Sequence, residues 1–136
     1  MAANKKIRFG PVALTTTTTT NILNPPTLTG GTGLAGTNAN TYLLLTHIRV
    51  ANKTNTAAFV ALWMGATGAN AAGTEFAFAG AATAGSLNAN TGVSVAANSS
   101  VDWYGYVRMD VADFLVGGAG TGTALTIEGE GEIGVV

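Results

Sequence analysis

The chain has 136 residues, the length of a single domain, and 47% of them are hydrophobic while only 10% are charged. That composition fits a disordered protein poorly, because disorder goes with low hydrophobicity and many charges, whereas even globular proteins are typically about a quarter charged. The formal net charge of −1 offers nothing to attract nucleic acid or an anionic membrane, and the lack of cysteine excludes disulfides and thiolate metal sites.

Residues 1–36 are predicted to form an extended N-terminal arm ahead of a β-sandwich domain that spans residues 37–136. Six consecutive threonines, Thr15–Thr20, favour extended backbone without fixing a register, and the pair Pro25–Pro26 ends that run. Four apolar side chains in this arm need burial and are candidate contacts with a neighbouring subunit: Ile7, Phe9, Ile22 and Leu23. A frayed terminus, or an edge strand of the chain's own sheet, is the alternative.

The N-terminus lacks the apolar core of a signal peptide, and no apolar run approaches the length of a transmembrane helix. We therefore expect a protein that is made and used without export by a signal-peptide route.

The stretch Tyr42 to Gly65 predicts a β-hairpin, because two apolar runs flank the polar residues 52–56. Strict alternation assigns the first run to two faces. One face holds Tyr42, Leu44, Thr46, Ile48 and Val50, and the other holds Leu43, Leu45, His47 and Arg49. Both faces are largely apolar, so we expect the hairpin to be covered on each side, by its own chain or by a neighbouring subunit.

Six further segments follow the hairpin. We predict a strand over Thr74 to Ala79, a loop over Gly80 to Gly85 and a weak strand over Gly92 to Val95. A strong strand covers Ser100 to Met109, with its polar and aromatic side chains on the face away from the core: Asp102, Tyr104, Tyr106 and Arg108. A helical turn is expected over Asp110 to Val116, and a turn at the glycines that follow it, Gly117 to Gly120.

The last segment, Thr121 to Val136, has the cleanest alternation in the chain. Glu128, Glu130 and Glu132 share one face, which should therefore look at water or at cations. Gly129 and Gly131 lie on the other face and leave room for a large side chain, with Trp63 and Trp103 as the candidates. Six to eight short strands without an amphipathic helix predict an all-β fold, an antiparallel β-sandwich of jelly-roll or immunoglobulin-like type.

The sequence lacks the residues that known catalytic arrangements require. The single histidine, His47, lies in an apolar run, and no serine stands in a Gly-x-Ser-x-Gly context. Carboxylate pairs are better explained as a solvated strand face, and no glycine-rich stretch is followed by the lysine of a phosphate loop. We therefore predict no catalytic residue, cofactor or metal. Because tyrosine and arginine are enriched in interfaces, the remaining candidate interface residues are His47, Arg49, Tyr104, Tyr106 and Arg108.

Several short sequence segments, taken in the order of the predicted strands, resemble those of a known protein family. They are His-Ile-Arg-Val-Ala-Asn-Lys-Thr from residue 47, Trp-Met-Gly-Ala-Thr-Gly from residue 63, Gly-Thr-Glu-Phe from residue 73, Tyr-Gly-Tyr-Val-Arg-Met-Asp from residue 104, Asp-Phe-Leu-Val-Gly-Gly-Ala from residue 113 and Ala-Leu-Thr-Ile-Glu-Gly-Glu from residue 124. From Tyr42 to the C-terminus the chain resembles the small β-sandwich virion proteins of tailed bacteriophages, which include capsid decoration (cement) proteins.

That resemblance implies a non-enzymatic structural protein on the outer surface of the phage head, made in the host cytoplasm. Its partners would be the major capsid protein and copies of itself, as a homotrimer or another homo-oligomer, with no nucleic acid and no membrane. The N-terminal arm would clasp neighbouring subunits, as in such decoration proteins. Two alternatives remain open: a tail, neck or fibre component with the same fold, and a carbohydrate-binding module that uses exposed tyrosines for stacking.

Overall fold

The structure, a computed structural model, describes residues 5–16, 20–23, 31–32, 41–65, 74–75, 93–109 and 113–135. These residues form strands, turns and bends, and no helix occurs among them. The strands are β1 (Lys5–Ala13), β2 (Thr20–Leu23), β3 (Gly31–Thr32), β4 (Thr41–Asn52), β5 (Ala58–Gly65), β6 (Thr74–Glu75), β7 (Val93–Val95), β8 (Ser100–Met109), β9 (Phe114–Ala119) and β10 (Leu125–Val135).

The strands belong to two antiparallel sheets. Sheet A has the order β3-β1-β10-β4-β8, and sheet B has the order β2-β9-β5-β6, with β7 also paired to β5. Every pair is antiparallel. The predicted all-β class is therefore confirmed.

One hydrophobic core draws side chains from both sheets. Phe9 and Ile48 come from sheet A, while Leu62 and Leu115 come from sheet B, and all four are fully buried. The alternation of strand side chains sends these residues to one face of each sheet and the polar ones to the other. Burial of this kind is worth roughly 25 cal/mol per Å² of apolar surface removed from water.

Parts of the predicted N-terminal arm lie in the chain's own sheets. β1 pairs along its length with β10, and β2 pairs with β9. These residues therefore follow the alternative in which the arm forms strands of the chain's own sheets. β2 is an edge strand, whereas β1 has the short strand β3 on its outer side. Residues 1–4, 17–19, 24–30 and 33–36 lie outside the described residues, so an arm across a neighbouring subunit stays a prediction.

The predicted hairpin is wrong, since β4 and β5 belong to different sheets. The connection is held by Asn52, a buried side chain whose Nδ2 donates to the carbonyl oxygens of Thr56 (2.9 Å) and Val95 (3.0 Å). Its Oδ1 accepts from the backbone N–H of Thr54 (2.9 Å) and from the Thr54 hydroxyl (2.7 Å). These bonds turn the chain from one sheet to the other instead of back along the same sheet.

The two faces predicted for β4 are exchanged halfway along the strand. In the pairing with β10, His47 lies opposite Glu130 and Leu45 lies opposite Gly131, so Thr46 is an extra residue. Such a β-bulge breaks the strict alternation of side chains. Leu43 and Leu45 before the bulge therefore share the buried face with Ile48 and Val50 after it, and His47 and Arg49 lie on the other face.

Strand β5 meets the expectation of burial on both faces. Val60 and Leu62 belong to the core, while Ala61 and Trp63 alternate with them and are also fully buried. Ala61 and Trp63 are not members of the core cluster, which is consistent with their position on the opposite face of the strand. The indole Nε1 of Trp63 is buried, and none of the described residues accepts a hydrogen bond from it.

Two glycine predictions need correction. Gly117 and Gly118 lie within β9, where a turn was expected, and Phe114 to Val116 are strand rather than a helical turn. Glycine at position 117 allows β9 to pack closely against β5, because a Cβ there would overlap Leu62 and the carbonyl oxygen of Ala61. The large neighbour of Gly129 is the ring of Phe9, not a tryptophan.

The alternation predicted for the last segment is confirmed, with Leu125 and Ile127 buried and Glu130 exposed. Of the predicted strand over residues 74–79, only Thr74 and Glu75 are described, as β6. The predicted loop 80–85 lies outside the described residues.

Candidate functional site

The face of sheet A that points away from the core is the candidate functional site, and it is called the outer face below. Four strands contribute to it, and the alternation of side chains selects its members. They are Lys6 and Arg8 on β1, Tyr42, Leu44, His47 and Arg49 on β4, Asp102, Tyr104, Tyr106 and Arg108 on β8, and Glu128, Glu130 and Glu132 on β10.

The outer face concentrates the few charges of a weakly charged chain. The whole chain has six Lys or Arg, seven Asp or Glu and one His. The outer face carries four of the Lys or Arg residues, four of the acidic residues and the histidine. Positive and negative side chains therefore nearly balance, so the charges of this face give no net attraction to a polyanion.

At the centre of the outer face His47 is held between two carboxylates. Its Nε2 lies 2.7 Å from Oδ1 of Asp102 on β8, and its Nδ1 lies 3.1 Å from Oε1 of Glu130 on β10. A doubly protonated ring donates to both carboxylates, whereas a neutral ring has one N–H and donates to one. Both ring nitrogens are occupied in this arrangement, so neither is open to take a proton from a nucleophile.

Arg49 completes the cluster from the same strand as His47. Its Nε donates to Oδ1 of Asp102 at 2.9 Å, and a guanidinium nitrogen lies 3.5 Å from Oδ2. The hydrogen bonds from Arg49 and then His47 lower the pKa of the Asp102 carboxyl below its ordinary value. The same hydrogen bond to Asp102 raises the pKa of Arg49. Asp102 is therefore ionised throughout the neutral range and fixes both basic side chains.

Tyr104 extends the cluster toward the edge of the sheet. It lies directly opposite His47 in the β4–β8 pairing, and the two rings stack with centroids 4.5 Å apart and an angle of 8° between their planes. Tyr104 nevertheless remains 71% exposed, and Tyr106 on the same face is 79% exposed. Two large aromatic side chains exposed side by side on one strand face make this part of the outer face a candidate contact surface.

A second contact joins β8 to β4 nearer the end of the sheet. The guanidinium carbon of Arg108 lies 4.5 Å from the centroid of the Tyr42 ring, which is cation–π geometry. Tyr42 can lie this close to the sheet because a Cβ at Gly134 on β10 would overlap its ring. A third contact, between Arg8 and Glu128 at 3.1 Å, ties β1 to β10.

Two shallow grooves cross the outer face on either side of Glu130. The first, of about 320 Å³, is lined by Arg8, His47, Arg49, Glu128, Gly129 and Glu130. The second, of about 340 Å³, runs beside Tyr106 and includes Lys6, Thr46 and Glu132. Both have charged groups around a glycine floor, and the second also has the hydroxyls of Thr46 and Tyr106, which suits hydrogen bonding to a partner surface more than enclosure of a small apolar molecule.

The structure separates the nine predicted interface residues into two groups. His47, Arg49, Tyr104, Tyr106 and Arg108 come together on the outer face. Ile7, Phe9, Ile22 and Leu23 are buried inside the chain's own core. A contact between subunits through this second group stays a prediction, and it would require β1 and β2 to leave their own sheets.

The carboxylate partners of His47 were missed by sequence reasoning. Asp102 lies 55 residues away and Glu130 lies 83 residues away, so no local pattern connects them to the histidine. Tyr42 was missed because strict alternation placed it on the opposite face from Arg49. The signal that would have recovered it is the position of the bulge, which depends on the neighbouring strands.

Within the described ranges no group of three or more His, Asp or Glu side chains is placed to hold a metal ion. The same part of the chain contains no helix of a length and hydrophobicity that would span a bilayer. Comparison with models of protein families, with curated protein sequences and with solved structures finds no match to this chain.

Proposed function

We propose that the chain is a non-enzymatic virion structural protein, a capsid decoration (cement) protein of a tailed bacteriophage that binds the outer surface of the head. Its partners in this proposal are the major capsid protein and further copies of the chain. The observation that carries the proposal is the order of the strands, taken together with the polar and aromatic outer face.

The strand order supports a β-sandwich of the jelly-roll type. With the two-residue strands β3 and β6 set aside, eight strands remain, and the sheets read β1-β10-β4-β8 and β2-β9-β5-β7. Numbered from one to eight along the chain, these are 1-8-3-6 and 2-7-4-5, the arrangement produced by rolling up a double Greek key. Jelly rolls are common in viral capsid and lectin domains, so the step from fold to virion role is an analogy.

The outer face supports a binding role rather than catalysis. His47 is engaged at both nitrogens, by Asp102 and Glu130, and Asp102 is also paired with Arg49. The exposed tyrosines and arginines are of the types enriched at protein interfaces. A balanced set of charges fits a protein surface of mixed charge, such as a capsid exterior.

Quantitative mass spectrometry of purified phage particles tests the proposal. We expect the chain in a copy number comparable with that of the major capsid protein. A few copies per particle would instead indicate the neck, tail or fibre alternative, and absence from the particle would contradict a virion role.

Binding to particles that lack the protein gives a second test. Purified chain should restore their resistance to heat or chelation, and the outer-face double variant Lys6→Ala and Arg8→Ala should bind more weakly. Lys53→Ala, which removes an exposed charge from the β4–β5 connection, is the matched control. Equal binding by all three proteins would argue against the outer face as the contact.

Carbohydrate binding is a second candidate that one observation favours. Tyr104 and Tyr106 expose their rings on one strand face, beside hydroxyl and carboxylate groups in the groove that contains Thr46. Aromatic rings of this kind can stack on the apolar face of a sugar. A glycan array probed with the native chain and with Tyr106→Ala tests it: binding lost in the variant would support this function over the decoration role.

A further inference from the structure

The two edges of sheet A differ. Beyond β1 lies the short strand β3, whereas β8 is the last strand on the other side, and none of the described residues pairs with its outer edge. β8 has ten residues, contains no proline, and alternates in exposure from Ser100 to Met109 without interruption. The outer edge of a long edge strand is a template for pairing with another strand.

The sequence of β8 is symmetric about Gly105. Stepping outward from this glycine, one meets first two tyrosines, then two large apolar residues, and then an acid and a base. The matched positions are Tyr104 with Tyr106, Trp103 with Val107, and Asp102 with Arg108.

This symmetry is what an antiparallel pair of identical strands requires. If a two-fold axis passes through Gly105, each residue faces its counterpart on the second copy, and every contact occurs twice. Asp102 then lies opposite Arg108 of the second copy, and Tyr104 lies opposite Tyr106 of the second copy. Directly opposed side chains of opposite charge, and opposed aromatic rings, stabilise antiparallel pairs.

We propose that two copies of this chain join edge to edge through β8, about a two-fold axis at Gly105, so that their A sheets form one continuous sheet. The register is selective. A shift of two residues that places Asp102 opposite Tyr106 also places Arg108 opposite Ser100, and both charge pairs are lost. The carboxylate can accept the additional partner, because among the described residues Oδ2 of Asp102 has only the 3.5 Å contact with Arg49.

The pairing also accounts for the exposed tyrosines, which gain an aromatic neighbour across the interface. It goes beyond the proposed virion role and does not rest on it, because it concerns only how two copies meet. It favours a homodimer, or an oligomer built from such dimers, over the homotrimer expected from the resemblance.

Charge reversal at one position tests the proposal. Arg108→Asp places two carboxylates opposite each other at both ends of the interface, so the dimer dissociation constant should rise by a factor on the order of ten. Lys53→Asp makes the same change in charge at an exposed site away from β8 and should leave the constant unchanged. Sedimentation equilibrium measures both, and circular dichroism with thermal unfolding confirms that each variant is folded.

Cysteine cross-linking tests the register without reversing a charge, and the chain has no native cysteine to interfere. Tyr104→Cys and Tyr106→Cys, mixed and oxidised, should form a heterodimeric disulfide, since the two positions are directly opposed. Either variant alone should cross-link poorly, because its own positions are diagonal and about 7–8 Å apart. Asn55→Cys, in the exposed β4–β5 connection, is the control.

Two results would overturn the proposal. A native chain that remains monomeric at all accessible concentrations rules out self-pairing and leaves the β8 edge to a strand of a different protein. A native dimer whose mixed cysteine variants cross-link no better than the single variants rules out this register. Neither result bears on the copy number in phage particles, so failure here and failure of the virion proposal are distinguishable.

Discussion

Strands β4 and β5 follow one another in the chain and are both rich in apolar side chains, yet their surroundings differ. β5 is buried on both faces, while β4 is buried only toward the core. The extra residue Thr46 in β4 is what brings His47 and Arg49 to the outer face. Apolar composition alone therefore does not decide which face of a strand is buried, because one inserted residue exchanges the faces.

The largest expected effect comes from two adjacent leucines of β4. Leu45 is fully buried and Leu44 is only partly buried on the outer face. We expect Leu45→Ala to lower the free energy of unfolding by about 2–5 kcal/mol, because it leaves a cavity in the core. Leu44→Ala should cost about 1 kcal/mol or less. Urea unfolding of the two variants measures the difference, and equal costs would contradict the assignment of the faces.

The packing of β10 between β1 and β4 in sheet A gives a second prediction. A Cβ at Gly129 would overlap the Phe9 ring and the carbonyl oxygen of His47, so Gly129→Ala should destabilise the chain by about 1–3 kcal/mol. Gly122→Ala is the control, because the nearest atom to its Cβ would be Cγ2 of Thr16 at 3.7 Å. Thermal unfolding should separate the two variants clearly, and similar melting temperatures would argue against this close approach.

The connection that sends β4 and β5 to different sheets can be weakened at Asn52. Asn52→Ala removes hydrogen bonds from buried or partly buried backbone groups, and we expect a loss of about 1–3 kcal/mol in the free energy of unfolding. The neighbouring exposed Asn55→Ala should be close to neutral. If both variants unfold at the same urea concentration, Asn52 does not hold this turn.

The smallest expected effect is on the pH dependence of stability, through the contacts of Asp102 on β8 with His47 and Arg49 on β4. The pKa of Asp102 is lowered below its ordinary value of 3.8, chiefly by the hydrogen bond from Arg49 and then by that from His47. Its contribution to stability is therefore present above about pH 4 and is lost as the pH falls through the lowered pKa. The native chain should lose more stability over that acid range than Asp102→Asn does.

Glu132→Gln is the matched control for that measurement, because it removes an acid from the same face without disturbing the Arg49 pair. It should retain the acid dependence of the native chain. An unchanged acid dependence in Asp102→Asn would show that the cluster around His47 contributes nothing measurable to stability.

Local sequence patterns predicted the strands whose own side chains alternate regularly, β8 and β10. The alternation of β10 was predicted because every second residue is either apolar or glycine. The register shifts in its pairing with β1 and β4 come from extra residues in those two strands, so β10 itself keeps its period. The strand β8 was predicted for the same reason, including the outward direction of Tyr104 and Tyr106. Such periodicity needs no knowledge of distant residues.

Sequence reasoning failed where distant residues decide the outcome. Polar residues after Asn52 indicate a turn, but whether β5 returns beside β4 depends on β8 and β10, which pair with β4 instead. The position of the extra residue Thr46 also depends on a distant residue, since its hydroxyl donates to the carbonyl oxygen of Glu130 at 3.2 Å. The glycines of β9 predict a turn by local pattern, whereas the structure uses Gly117 for a close approach to Leu62 of another strand, which no local pattern shows.

The two tryptophans lie in different environments, so each can serve as an intrinsic fluorescence probe. Trp63 is shielded completely within β5, whereas Trp103 lies partly buried beside Gly105, at the edge strand. Emission from the first should shift to the red only when the chain unfolds. Emission from the second should respond already when the β8 edge becomes covered, so replacing either indole by phenylalanine would let a fluorimeter follow folding and assembly separately.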